Sequence, residues 1–354
     1  MTTSQRFYQQ LGEVLAQEPA VVATIVKVVG SAPREVGAKM AVYGKGSILG
    51  TIGGGAGEGK VIEQALIALK EKKEAKNRLI EIDLTGAPNK DTQGICGGKV
   101  QVWLEVWAGK QAIALTANIL EVFRTGQSTA LVTCLAGDRS PHLVNEQSIE
   151  KYTHSTAHIE NGHFVEIIQP PPALLIVGGG HVAVALAQSA HFAGFQIAVQ
   201  DDRSNFVTSD RFPQATFLSH SISDVLTHFT VHSQLYVALV ARGFPQDIEA
   251  LKTLLQRPVA YKYIGAIGSR KRIRRVCQAM EKQGIPLERL SNFHAPIGLD
   301  IGALTPEEIA ISICAELIKV RRGGTGRSLC ERVQSSEFSS KVHIGERHYA
   351  HPLP

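Results

Sequence analysis

Two glycine-rich turns and one cysteine carry most of the chemistry that this sequence offers. In residues 174–186 an apolar run breaks at Gly178-Gly179-Gly180 and resumes with helical spacing from His181, which predicts a strand, a tight turn and a helix. Gly178, Gly180 and Ala183 fill the G-x-G-x-x-A spacing. The first glycine permits the turn, the second lets the backbone approach a phosphate, and the third small residue lets helix pack on strand. The free N–H groups and positive dipole end at such a helix start suit an anion. Phe195 to Val199 predicts the next strand, and Asp201-Asp202 ends it. That is where a dinucleotide fold places its ribose-binding carboxylate, with Asp202 as the candidate. NAD(P) and other phosphate-bearing ligands both fit this pattern. His181, inside the turn, is the nearest group for proton transfer.

The second turn, Gly53-Gly54-Gly55-Ala56-Gly57-Glu58-Gly59, does not have that spacing. So many glycines cost chain entropy unless the backbone needs unusual dihedrals or a close approach. A crowded strand–helix junction meets that condition, and so does a cradle for an anion or a pterin phosphate with Glu58 as its polar handle. Cys96 stands in Gly94-Ile95-Cys96-Gly97-Gly98, where small neighbours leave its sulfur accessible and backbone N–H groups favour the thiolate. Cys134, Cys277 and Cys314 lie in apolar surroundings and read as buried hydrophobes. Arg242, at the carboxyl end of the strand Gln234–Val240, and Arg270, after Gly268-Ser269, are candidate anion contacts. Ser269 suits a helix cap, and Lys271 and Arg272 read as solvent-facing. His154, His158 and His163 have neither regular spacing nor carboxylate partners and read as exposed histidines.

The elements that must position these groups fall into two halves. Phe7–Leu15 predicts a short amphipathic helix, Ala20–Val29 a strand, and Lys39–Tyr43 with Ser47–Ile52 a hairpin. Leu79–Leu84, Val100–Trp107 and Ser128–Leu135 predict further strands, and Ile113–Phe123 a helix. Residues 1–136 therefore read as a mixed α/β domain, 137–172 as a polar, proline-ended linker, 173–324 as a doubly wound, Rossmann-like parallel sheet, and 325–354 as a flexible tail. Thr305-Pro306-Glu307-Glu308 predicts the capped start of the last helix. The chain has 354 residues, 44% of them apolar and 19% charged, with a net charge of +5. That composition fits a soluble two-domain protein. Its mild charge, without an aromatic platform or a known motif, argues against nucleic acid. Five cysteines without a C-x-x-C pair argue against a disulfide framework or zinc cluster and for a reducing cytoplasm. Neither a signal peptide nor an apolar run of the ~20 residues needed to span a membrane is expected.

Several motifs in order resemble the XdhC/CoxI family, the accessory proteins that mature molybdenum hydroxylases. They are Gly30-Ser31-Ala32-Pro33-Arg34, Gly37-Ala38-Lys39-Met40, Thr51-Ile52-Gly53-Gly54-Gly55, Cys96-Gly97-Gly98, Gly178 to Val182, Asp201-Asp202-Arg203, Ile267 to Lys271, and His294 to Ala303 leading into Thr305. The resemblance implies a cytoplasmic chaperone, rather than a classical enzyme, that binds the molybdenum cofactor (molybdopterin). A cysteine desulfurase would exchange an oxo ligand for sulfide, and the product would pass to a xanthine dehydrogenase-type molybdenum hydroxylase. A homodimer is one candidate assembly. Family members often carry Cys where this chain has Ala56, and His where it has Phe244. A sulfur transfer needing a cysteine pair would thus leave Cys96 alone, whereas protection of the cofactor survives the loss. The anionic pterin dithiolene suits the glycine cradles at Gly53, Gly54, Gly55, Gly97 and Gly98, together with Arg34 and Arg270. The alternatives are an NAD(P)-dependent oxidoreductase on the second half and a purely structural adaptor.

Overall fold

The computed structural model describes residues 3–71, 77–86, 97–136, 139–144, 157–282 and 293–330. Apolar residues at helical spacing start the chain: Phe7, Tyr8, Leu11 and Leu15 form the buried stripe of α1 (Thr3–Leu15). The strands β1 (Ala20–Val29), β2 (Lys39–Tyr43), β3 (Ser47–Gly50), β4 (Arg78–Asp83) and β5 (Lys99–Trp107) then build one antiparallel sheet in the order β3-β2-β1-β5-β4. On one face lies α2 (Gly55–Glu71), whose Val61, Ala65 and Ala68 pack on Val21, Ala23, Val102 and Leu104. On the other lie α1 and α3 (Gly109–Thr125), through Leu115, Ile119 and Phe123.

The described residues of the segment expected to link the two halves, 139–144 and 157–172, contribute strands. Strands β6 (Thr129–Cys134), β7 (His142–Leu143), β8 (His158–Glu160) and β9 (His163–Ile168) form a second antiparallel sheet, ordered β7-β6-β9-β8. Six residue pairs join β6 to β9. β6 forms where Ser128–Leu135 predicts a strand, whereas the polar sequence hid β7 to β9, in which only Phe164, Val165 and Ile168 are buried. Pro170-Pro171-Pro172 is buried rather than a solvent-facing spacer, and Pro172 accepts a hydrogen bond from Gln196 N at 2.8 Å. His154 and residues 331–354, most of the expected tail, lie outside the described residues.

Glu105 occupies an unusual place in the first sheet. Alternation along β5 sends Val100, Val102 and Leu104 toward α2, so Trp103, Glu105 and Trp107 face the opposite side. Its Oε2 accepts from Trp107 Nε1 at 2.9 Å, whereas Oε1 is buried without a hydrogen-bond partner among the described residues. Burial, opposed by Trp107 and the charge of Lys39, pushes the carboxyl from 4.5 up to about 7. The folded chain therefore holds a proton that the unfolded chain has released, and this contribution to stability falls as pH rises from 4.5 through about 7. Glu105→Gln is expected to remove roughly 2 kcal/mol of the pH-dependent change between about pH 5 and about pH 8. Urea unfolding of both proteins at the two pH values measures it, and equal slopes would refute the assignment.

The second half is a parallel sheet of β10 (Ala173–Val177), β11 (Gln196–Gln200), β12 (Ala215–Ser219), β13 (Leu235–Leu239), β14 (Tyr263–Ala266) and β15 (Phe293–His294), ordered β12-β11-β10-β13-β14-β15. Every residue of β10 and β13 is buried, as strands covered on both faces require. Helices α4 (His181–Phe192) and α8 (Pro306–Arg322) cover one face. Helices α5 (Ile222–His228), α6 (Phe244–Leu254) and α7 (Arg270–Lys282) cover the other. The chain winds from β10 to β12 in one direction and resumes at β13 in the other. The topological switch point, where open sheets of this kind bind ligands, thus falls between β10 and β13. Thr305 and Glu308 form the expected capping box of α8.

Candidate functional site

Three loops meet beyond the carboxyl end of β1. A Cβ placed on Gly98 would lie 2.2 Å from Ser31 O, one on Gly30 would lie 2.9 Å from Gly97 O, and one on Gly53 would lie 2.6 Å from Cγ of Pro33. Side chains at these positions would push the loops apart. Gly54 and Gly55, with φ of +79° and +71°, instead face open space. The convergence therefore presents an exposed patch of bare backbone, with Arg34 exposed on the loop between β1 and β2. Cys96 lies outside the described residues, and the sequence places it one peptide bond before Gly97.

Two expectations for these loops change. Glu58 is turned into the loop: its Oε2 accepts from Thr51 Oγ1 at 2.6 Å and from the N–H groups of Ile52 and Gly54, both at 3.1 Å. Burial would raise its pKa, but the hydrogen bonds from Thr51, Gly54, Ile52 and Gly53 overcome it and hold the carboxyl below its ordinary value. Glu58 thus clamps the glycine turn through Oε2. The Gly97 N–H is likewise taken by Leu84 O at 2.9 Å, so Gly97 supplies space and not a donor.

At the switch point a crevice of about 110 Å³ opens among Gly178, Asp202, Ile222, Ala241 and Arg242. Gly178, with φ of +110°, passes so close to β13 that a Cβ would lie 2.8 Å from Ala241 Cα. Gly180 caps α4 and faces open space, and His181 is exposed in its first turn. The two acids differ in role. Asp201 accepts from Gly179 N at 2.7 Å and pairs with Arg203 at 2.8 Å. Burial would raise its pKa, and these donors hold it far below the usual carboxylate range. Asp202 and Arg242, each read from sequence as a free ligand contact, are instead paired at 3.0 Å. Both are about half exposed, so a ligand displaces that pair at a cost of about 1 kcal/mol or less.

Ser269 caps α7, accepting from Arg272 N at 3.3 Å, and Arg270 is the first residue of that helix. Arg272, expected in solvent, reaches back to the fully buried Asp247 (Nε–Oδ2 2.9 Å) and to Ala241 O at 3.1 Å. A second network went unnoticed in the sequence. The buried Glu316 of α8 accepts from Tyr263 Oη at 2.5 Å and Gly298 N at 2.8 Å and lies 3.1 Å from His294 Nδ1. It ties the 294–302 loop to the sheet. The available signal was an acid on the buried stripe of Ile309, Ile313 and Leu317.

The two halves are joined away from the crevice. Ser128 Oγ meets Ser233 Oγ at 2.7 Å, a Cβ on Gly126 would strike His232, and the prolines lead straight into β10. All of these lie at the amino end of the parallel strands, whereas the crevice lies at their carboxyl end. Among the described residues no helix is long and apolar enough to cross a membrane, and no group of three or more His, Cys, Asp or Glu is placed to hold a metal ion.

Residues 14–83 match the profile described as the XdhC and CoxI family, and residues 174–317 match that of the XdhC Rossmann domain. A protein of Escherichia coli, "Uncharacterized protein YqeB", is 30% identical over 87% of this chain, which spans only 44% of that protein. A probable xanthine dehydrogenase subunit of Bacillus subtilis is 29% identical over 89% of this chain and 98% of its own length. "Molybdenum cofactor insertion chaperone PaoD" of E. coli is 23% identical over 87% and 85%. A crystal structure described as a xanthine dehydrogenase from Bacillus halodurans superposes with a TM-score of 0.67 at 28% identity, covering 94% of this chain and 98% of that one.

Proposed function

The chain belongs to the XdhC and CoxI family, and from that premise we propose that it is an accessory chaperone that binds the molybdenum cofactor, supports its sulfuration and delivers it to a xanthine dehydrogenase-type hydroxylase. The observation that carries the reading is the three-loop convergence of Gly30, Gly53 and Gly98, which leaves Gly54 and Gly55 open beside Arg34. Bare backbone admits a metal-bearing group closely, and the Arg34 guanidinium attracts its negative charge. Cys96, joined to Gly97, approaches the metal or the sulfur carrier, with a cysteine desulfurase as the sulfur source. The relative named as a cofactor insertion chaperone and the one named as a xanthine dehydrogenase subunit both support this cargo and this client. In this reading the protein works in the cytoplasm, where the cofactor and desulfurase are available.

The crevice favours a second ligand. Its position, the open Gly180 and Asp202, whose exposed pair with Arg242 a ligand can displace, suit an NAD(P)-type nucleotide. His181 has no hydrogen-bonded partner that would tune it for hydride chemistry among the described residues. The crevice therefore supports nucleotide binding better than dehydrogenation.

Protein purified from cells that make the cofactor, then oxidised, should release a fluorescent pterin. Cys96→Ala should retain at least about fivefold less, the loss of a contact worth about 1 kcal/mol. Absence of pterin from the wild type, with saturable NAD(P)H binding and turnover, would replace the chaperone by an oxidoreductase.

A further inference from the structure

The roomiest space described in the first half lies beside the glycine loops rather than on them. A cleft of about 280 Å³ opens between α1, the start of β2 and β9, with Arg6 and Arg34 at its rim and Tyr8, Lys39, Thr51 and Glu166 among its walls. A neighbouring cavity of about 230 Å³, at the seam with the second half, shares Ser4, Tyr8 and Glu166 as its wall. Thr51 starts the glycine turn, and Arg34 follows the Pro33 on which Gly53 packs. One ligand can therefore reach both cleft and turn.

We propose that this cleft binds a phosphate-bearing 2-amino-4-oxopyrimidine, the ring edge shared by pterins and guanine, with Glu166 on the ring edge and Arg6 and Arg34 on the phosphate. The proposal rests on the cofactor reading above and adds to it the end of the ligand that the glycine loops do not hold.

The walls carry the argument. Lys39 donates to Thr24 Oγ1 at 3.1 Å and lies 2.7 Å from Glu166 Oε2, an ion pair not aligned as a hydrogen bond. That pair neutralises the carboxylate, yet Glu166 Oε2 accepts no hydrogen bond among the described residues. A 2-amino-4-oxopyrimidine presents a ring N–H and an exocyclic amine side by side, the spacing that a single carboxylate accepts as a fork. Tyr8 is 2% exposed and its hydroxyl has no hydrogen-bond partner among the described residues. Burial, reinforced by the charge of Glu166, keeps the phenol protonated and therefore a donor. An unsatisfied hydroxyl beside an unsatisfied carboxylate oxygen is uncommon in a finished core and is expected where a ligand completes the bonding. Among the described residues Glu166 is the only acid lining the cleft, against Arg6, Arg34 and Lys39. The resulting positive balance at the rim suits a phosphate, while Phe7 offers an apolar face within. The size holds one ring system with its phosphate and not a dinucleotide.

Calorimetric titration of the full chain, freed of bound pterin, with neopterin monophosphate, GMP, AMP and inorganic phosphate tests it. The first two, or either one alone, should bind at least about tenfold more tightly than AMP or phosphate, which lack the donor edge. Glu166→Gln should weaken that binding by about tenfold or more. Because this change also breaks the Lys39 pair, Arg6→Ala/Arg34→Ala provides an independent variant. Both arginines are exposed and without an acidic partner among the described residues, so the double variant should keep the wild-type melting temperature and lose about tenfold in affinity for the phosphorylated ligand. GMP binding without pterin binding would support the ring-edge assignment and count against the pterin cargo. No binding, equal binding of all four, or binding indifferent to both variants would overturn the cleft. Undiminished pterin retention in cells by the double variant would overturn the cleft and the part given to Arg34, while leaving the glycine turn as the cofactor site of the chaperone.

Discussion

Arg272→Ala is expected to destabilise the protein by about 4 kcal/mol, the cost of leaving one partner of a buried ion pair behind. Asp247 is fully buried, and its Oδ1 lacks a hydrogen-bond partner among the described residues, so Arg272 is what makes the carboxylate tolerable. Even so, burial outweighs the hydrogen bond and charge of Arg272 and pushes Asp247 from 3.8 up to about 6. The folded state therefore binds this proton more tightly than the unfolded state, and the contribution to stability falls as pH rises from 3.8 through about 6. Without the guanidinium the folded pKa moves higher still, and the decline extends to higher pH. Urea unfolding should accordingly show a smaller deficit near pH 5, where the carboxyl is neutral, than near pH 8. Restoring an uncharged pair with Arg272→Leu and Asp247→Leu should recover most of the loss, because a well-packed apolar pair matches a buried ion pair. A deficit below about 1 kcal/mol at pH 8, or one independent of pH, would show that water reaches Asp247. The same substitution frees Ala241 O at the edge of the crevice. Ligand binding there should weaken along with stability.

What could be read from the sequence follows from how local each signal is. The Gly178 turn with its flanking strands, the hairpin ahead of Gly53 and the capping box at Thr305 are set by residues within a few positions of one another, and each forms where its spacing predicts. The partners of side chains are not local. Asp202 and Arg242 are 40 residues apart, and Arg272 and Asp247 are 25 apart. Each of these groups looks like a free charge until the sheet order brings the loops after β11 and β13, or the helices α6 and α7, together. Glu58 shows the reverse case: it lies four residues from Gly54, within reach of its N–H, yet five glycines invite the reading that everything near them faces a ligand. The strands β7 to β9 that complete the sheet of β6 were hidden for a third reason. They are short or half-exposed, so the alternation that reveals a strand is drowned by polar residues.

The glycine convergence yields the prediction with the most direct bearing on function. Gly98→Ala should lose at least about tenfold in pterin retention and about 3 kcal/mol in stability, because its methyl group meets only backbone. The Cβ would lie 2.2 Å from Ser31 O, 2.7 Å from Val29 O and 2.8 Å from Ser31 N, none of which can rotate away as a side-chain end can. Relief requires the loop that carries Pro33 and Arg34 to move off the strand that starts at Lys99, and Gly53 moves with Pro33. Gly55→Ala is the matched control for space, since a Cβ there meets nothing within 4 Å and the strain is confined to its positive φ of +71°. A bound cofactor at the open turn would be crowded by that methyl in the holo state, while the apo protein would be affected only through the dihedral. Gly98→Ala should therefore lower both the apo melting temperature and pterin retention. Gly55→Ala should lower retention by a larger factor than its change in apo stability accounts for. If Gly55→Ala retains pterin in proportion to its folded fraction, the bare turn is a packing solution only, and the cargo site must be sought elsewhere on the chain.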